Sequence, residues 1–139
     1  MGVRFDPATD YPLGSRRPDL VRTPSGLPLE AVTLAAARDG TLVAADTRAT
    51  PETLALQAQV ARAAGRPQLA DGLDRAAELA SVPDDELLAI YTALRPGRSS
   101  ADELATWAVR LEELGAVRTA AFVREASTVY RERGFLTGD

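Results

Sequence analysis

The chain has 139 residues and contains no cysteine and no histidine. It also lacks lysine and asparagine, so every one of its 16 basic residues is arginine. Each gap closes off chemistry. Without Cys or His, a structural zinc or iron–sulfur site has none of its usual ligands. Without Lys there is neither a Schiff-base nucleophile nor a phosphate-loop lysine. Without His, the side chain that most often serves as a general base near neutral pH is gone. Codon usage in a GC-rich genome accounts for the missing Lys and Asn, but the chemical consequence is the same whatever the cause. Long apolar runs are missing too: none approaches the roughly 18 residues of a membrane span. The opening MGVRFDPATD has no apolar core of the signal-peptide type. These features point to the cytoplasm.

What is present is ordinary for a soluble domain: 45% hydrophobic and 26% charged residues. A chain of this length buries roughly 68–70% of its unfolded surface, enough for one core without cross-links. The net charge of −4 offers no overall basic face for nucleic acid.

Residues 1–28 carry Pro7, Pro12, Pro18, Pro24 and Pro28, too many for a helix interior. They also hold Tyr11, Leu13, Leu20, Val21 and Leu27. The segment therefore reads as an extended strap lying on a surface, either the chain's own or a partner's. Residues 29–139 read as a helical region of the same single domain. A short helix is expected over Leu34–Arg38, with Thr33 as its cap and Gly40 beyond its end. Thr41-Leu-Val-Ala is compatible with a brief strand or a turn.

From Thr50 onward the punctuation is clear. Thr50-Pro51-Glu52 opens a helix running to about Ala64, with Gly65 as its stop. Two apolar rows, Leu54–Ala58–Ala61 and Leu56–Val60–Ala64, leave it open to contact on two sides. A second helix runs from about Pro67 to Ala80 with Leu69, Leu73, Ala76, Ala77 and Ala80 on one stripe. A third opens at Pro83 with Asp84 and Asp85 in its first turn and shows Leu87, Ile90, Tyr91 and Leu94. Pro96 ends it, since Arg95 is pushed out of helical geometry. Ser100 and Glu103 form a capping box for a fourth, striped by Leu104, Trp107, Ala108, Leu111 and Leu114 and stopped at Gly115. A fifth covers about Val117 to Arg133, with Ala121, Phe122, Ala126, Val129 and Tyr130 inward and Gly134 at its end. About five helices joined by short linkers predict an all-α, compact multi-helix packing with a proline-rich N-terminal segment.

The chemistry-bearing residues are sparse. Asp84-Asp85-Glu86 and Asp102-Glu103 read as first-turn acids that complement helix dipoles, and Glu112-Glu113 as a solvated face. Tyr91 and Tyr130 fall on apolar stripes and read as core residues whose hydroxyls reach a partner. Arg95-Pro96-Gly97-Arg98 places two cations around a rigid corner, where the readings are solvated arginines or an anion contact, a neighbouring protein's carboxylate being as reasonable an anion as a phosphate. No catalytic, cofactor-binding or metal-binding residue stands out, and the inventory suits a binding or assembly role.

Six segments, in order, carry a resemblance. They are Asp10-Tyr-Pro-Leu-Gly-Ser, Thr23-Pro-Ser-Gly-Leu-Pro-Leu, Ala76-Ala-Glu-Leu, Val82-Pro-Asp-Asp, Ile90-Tyr-Thr-Ala-Leu-Arg-Pro with Arg98-Ser-Ser, and Ala121-Phe-Val-Arg-Glu-Ala with Val129-Tyr. Over about residues 10–134 the chain resembles the small subunit of adenosylcobalamin-dependent diol dehydratase and glycerol dehydratase. The resemblance implies a hydro-lyase of large, medium and small subunits, two of each. Such an enzyme turns propane-1,2-diol into propanal, or glycerol into 3-hydroxypropanal, by radical hydroxyl migration and loss of water. It implies that the large subunit holds substrate and a metal ion, and that adenosylcobalamin sits between the large and medium subunits. The small subunit would be mainly helical, dock on the large one and contribute no catalytic residue. Arg95, Pro96 and Arg98 are then one candidate subunit interface, and Tyr11, Pro12 and Leu13 a second. At the place of Gly97 members of that family often carry an aromatic residue. Many also carry a longer N-terminal extension of the kind that favours packaging in a microcompartment, so a free cytoplasmic complex is expected here. A stand-alone helical adaptor is the alternative reading of the same residues, and a small enzyme in its own right is disfavoured by the residue inventory.

Overall fold

Proline and glycine set the helix borders in the computed structural model of the chain, which describes residues 4–138. The first three residues of the expected strap, and Asp139, lie outside the described residues. The fold is all-α. Among the described residues no strand forms, and a lone antiparallel bridge joins Arg22 and Pro28. Contacts cluster into two compact units, Met1–Ala80 and Ser81–Asp139. Residues 4–28 belong to the first of them.

The first unit contains α1 (Leu13–Arg16), α2 (Leu34–Asp39), α3 (Pro51–Ala63) and α4 (Pro67–Leu79). Short 3-10 turns cover Pro18–Leu20, Leu29–Ala31 and Ala44–Thr47. Thr33 caps α2 by accepting from the Ala36 amide at 3.1 Å, and Thr50 caps α3 by accepting from the Thr53 amide at 3.2 Å. Thr41 and Leu42 bend the chain and Ala44 opens a 3-10 turn, so no strand forms there. Helices α3 and α4 form a hairpin. At its bend Gly65, at φ 72°, allows the Arg66 amide to donate to Ala61 O (2.9 Å) and the Gly65 amide to Arg62 O (3.1 Å). This is the double closure of a left-handed glycine end, a backbone region closed to most side chains. Ala58, Ala61 and Ala70 are buried at the contact and Leu73 packs on them. Arg62 reaches across to Asp71 (3.1 Å) and Asp74 (2.9 Å).

Ahead of this hairpin, residues 4–50 are held by buried polar bonds more than by apolar mass. Asp46, 6% exposed, accepts from the Ser25 amide (3.2 Å) and the Val43 amide (3.1 Å). It thereby ties the 3-10 turn to the Thr23–Gly26 corner, where the Gly26 amide donates to Thr23 O at 2.8 Å. Bonds from Ser25, then from Val43, bring the Asp46 carboxyl down to about 2 from its ordinary 3.8. Nearer the N-terminus, Arg17 forks between Asp10 (2.9 Å) and Asp19 (2.9 Å).

The second unit contains α5 (Asp84–Ala93), α6 (Ala101–Glu113) and α7 (Val117–Arg133). The α6 capping box is formed as expected: the Ser100 amide donates to Glu103 Oε2 (2.7 Å) and the Glu103 amide to Ser100 Oγ (3.2 Å). Gly115, at φ 80°, closes the α6–α7 hairpin with the same pair of bonds seen at Gly65. Leu104, Leu111 and Val123 are its fully buried large side chains, beside Ala108, Ala116 and Ala120. Two forked ion pairs bind the helices together. Arg110 meets Glu86 of α5 with both bonds at 2.7 Å, and Arg124 meets Glu112 at 2.6 and 2.9 Å.

Several faces differ from the sequence reading. Ala121 and Phe122 are exposed, while Ala120 and Val123 are buried and Tyr130 is half-buried. In α4, Leu69 is half exposed and Ala70 is buried. Tyr91, expected in the core, is 61% exposed. In all three places the larger of two neighbouring apolar residues faces out: Phe122 beside Val123, Leu69 beside Ala70 and Tyr91 beside Ile90. Glu112 and Glu113 are not merely solvated, since they pair with Arg124 and Arg110.

Leu111→Ala is expected to cost about 2–5 kcal/mol of stability by opening a cavity; a urea titration that loses less than 1 kcal/mol (a bound set from) contradicts this packing. The Asp46 carboxyl is depressed in the fold, so its contribution is fully present above 3.8 and is lost as pH falls through about 2. Stability of the native chain should decline over that window, and Asp46→Asn should flatten that part of the pH profile while lowering Tm at pH 7. Parallel pH profiles for the two proteins in thermal melts count against the assignment.

Candidate subunit interface

The corner after α5 follows from local sequence. Arg95 precedes a proline and leaves helical geometry, and its amide donates to Thr92 O at 3.2 Å. The Arg98 amide then donates to Arg95 O at 3.1 Å, closing a four-residue turn. Pro96 and Gly97 occupy its central positions, with Gly97 at φ 70°, the signature of a type II turn. An aromatic residue at this position would have to adopt a backbone conformation costing roughly 1–2 kcal/mol.

Tertiary bonds stitch this turn in place from within its own unit. The Gly97 amide donates to Phe135 O at 2.7 Å, and the Thr137 amide donates to Ser99 O at 2.9 Å. The buried Ser99 hydroxyl donates to Ala93 O (2.9 Å), and the Tyr130 hydroxyl to Leu94 O (2.6 Å). The Tyr130 ring meets Phe135 edge-on, with centroids 6.0 Å apart. Tyr130 thus plays the role expected from the sequence, an apolar body with its hydroxyl on a backbone carbonyl.

Arg95, Pro96 and Arg98 are all exposed on this turn. Among the described residues neither arginine has an ion-pair partner, whereas Arg17, Arg62, Arg110 and Arg124 each do. Their partners hold Glu86 and Glu112 below the usual carboxylate range, chiefly through the hydrogen bonds from Arg110 and Arg124. Beside the corner, between α5 and α6, lies an open groove of about 610 Å³ lined in part by Leu88, Thr92, Arg98, Glu103 and Trp107. Leu88 is 68% exposed. The sequence reading did not single out Leu88 as surface. Its spacing from Tyr91 and Arg95 was the available signal, masked by apolar residues on both sides of α5.

The second candidate group lies in the first unit. Tyr11 is half exposed and Pro12 exposed, joined by a cis peptide, while Leu13 is buried at 3% within its own unit. Tyr11 lines a groove of about 370 Å³ with Val60, Ala64, Leu69 and Leu73. The second apolar row of α3 therefore meets the N-terminal segment there. Among the described residues no group of three or more acidic side chains is placed to hold a metal ion, and no helix is long and apolar enough to cross a membrane.

Exposed apolar residues on α5 and arginines without ion partners on a stitched turn give this helical chain a surface suited to docking on other proteins. Comparison with known proteins agrees in kind. A family model described as dehydratase small subunit matches residues 7–137. Over 132 residues the chain is 49% identical to the propanediol dehydratase small subunit of Citrobacter freundii, covering 94% of this chain and 77% of that one. Against the propanediol dehydratase small subunit of Salmonella typhimurium it is 48% identical, covering 94% and 76%. The chain belongs to the dehydratase small subunit family.

Tyr130→Phe should cost about 1 kcal/mol, the net worth of one hydrogen bond. It should also speed amide exchange at Gly97 and Thr137 relative to the amides of mid-α6. Unchanged exchange at those two amides would show that the corner is held by something other than these bonds.

Proposed function

We propose that this chain is the small subunit of an adenosylcobalamin-dependent diol dehydratase, acting on propane-1,2-diol or glycerol in an assembly with large and medium subunits, two copies of each chain. The observation that carries the reading is the 49% identity, over 94% of the chain, to a protein named propanediol dehydratase small subunit. The surface supports it from a separate direction. Arg95 and Arg98 are presented on a stitched turn with no carboxylate of their own, so pairing to a partner's acid loses little conformational freedom. Tyr11 and Pro12 form a second candidate contact; Leu13 supports them from beneath, being buried.

Adenosylcobalamin is not a group that this chain's residues fit. Among the described residues no buried polar side-chain atom lacks a partner, so none is left waiting for a large amide-fringed ligand. In this reading the other subunits bind the cofactor and carry the chemistry, and this chain contributes shape and docking. The complex belongs in the cytoplasm, a part of the reading that co-sedimentation with microcompartment shell proteins would overturn.

Co-expression with the large and medium subunits tests the whole. Aldehyde should form from propane-1,2-diol once adenosylcobalamin is added, and leaving this chain out should cut the activity at least tenfold. Full turnover without it sinks the reading. Replacing both Arg95 and Arg98 by alanine should weaken co-purification by about 10–100-fold, or about 1.4–2.8 kcal/mol, with the fold intact because both side chains are exposed.

A further inference from the structure

The groove between α5 and α6 has an unusual lining for an exposed surface. It combines the chain's single tryptophan, an aliphatic side chain 68% exposed, and a cation with no ion partner among the described residues. Tryptophan and arginine are the residue types that most often anchor protein–protein contacts. Leu88 and Tyr91 lie three residues apart on α5, so one side of that helix is apolar and exposed, and the Arg95–Arg98 turn follows its C-terminal end. The acid on the groove wall is already committed, because Glu103 Oε2 accepts from the Ser100 amide at 2.7 Å. Glu103 is thus turned toward its own helix start, and the Arg98 guanidinium keeps no ion partner among the described residues beside exposed apolar surface.

We propose that this groove seats a segment of a partner dehydratase subunit that places an aliphatic or aromatic side chain against Leu88 and Trp107 and a carboxylate on Arg98. The proposal rests on the reading of the chain as a dehydratase small subunit and names the surface and the chemistry of its partner. The unpaired Arg98 beside exposed Leu88 is complementary to an acidic–apolar segment, and membership of a dehydratase small subunit family makes another subunit the occupant ahead of a second copy of this chain. The turn that carries Arg98 is fixed by Phe135 and Thr137, so its backbone holds one position beside the groove. The carboxylate–guanidinium pair then sets register, and the apolar contact supplies most of the affinity.

The single tryptophan supplies the probe. The full-length chain carrying 5-fluorotryptophan is mixed with unlabelled large and medium subunits, and the one fluorine resonance, from Trp107, is followed. It should shift or broaden on assembly. Leu88→Asp and Leu88→Ala should each weaken assembly at least tenfold, and Arg98→Glu should do the same while reducing the salt dependence. Val117→Asp, at a position 58% exposed on α7, should assemble like the unaltered chain. If the unaltered chain assembles while its fluorine signal stays put and both Leu88 variants bind normally, the groove proposal falls and the subunit reading stands. If the resonance moves only as the chain self-associates, a second copy is the occupant and the proposal falls. If the unaltered chain does not assemble with the other subunits at all, the subunit reading falls with it.

Discussion

Close approach of small side chains is the constraint on which both units rest. Ala58, Ala61 and Ala70 meet in the α3–α4 hairpin, and Ala108, Ala116 and Ala120 lie buried in the unit of α6 and α7. Alanine contributes little apolar area, so the α3–α4 contact rests on small side chains, while Leu104, Leu111 and Val123 add bulk in the second unit. The consequence reaches the surface. Leu69 is turned outward beside buried Ala70, Phe122 beside Val123, and Leu88 and Tyr91 stand exposed on the helix that buries Ile90. The apolar outer face is therefore a result of how the interior packs.

Forked arginine–carboxylate pairs complement this thin interior. Arg62 spans α3 and α4, Arg110 spans α6 and α5, and Arg124 spans α7 and α6. Each is at least partly exposed, so its contribution is specificity of helix placement more than bulk stability. With lysine absent, every cation in the chain has the planar fork suited to this use. Against that background the two arginines on the Pro96–Gly97 turn differ in standing on a stitched turn without an ion partner among the described residues.

Much of the helical frame was readable in advance. Thr33, Thr50 and Ser100 cap the helices that follow them, and Gly40, Gly65, Gly115 and Gly134 end helices with positive φ. These are local rules, acting within a turn of chain. The inward face of α7 was not readable, since Val117, Ala120, Ala121, Phe122 and Val123 surround the helix and no single period wins. The candidate corner was visible as Arg-Pro-Gly-Arg. Its stitching to Phe135 and Thr137 was not, because those partners lie more than 35 residues further along the chain.

The amino-acid sequence by itself determined the helix borders, the all-α class, the poverty of reactive groups and the family, because each depends on residue identity or on bonds spanning a few positions. Only the tertiary structure decided which apolar residues are buried, which arginines are left without partners, and that Asp46 anchors the Thr23–Gly26 corner from 21 residues away. Those outcomes depend on which helix faces approach closest, and small buried residues leave no strong hydrophobic pattern from which that choice could be read.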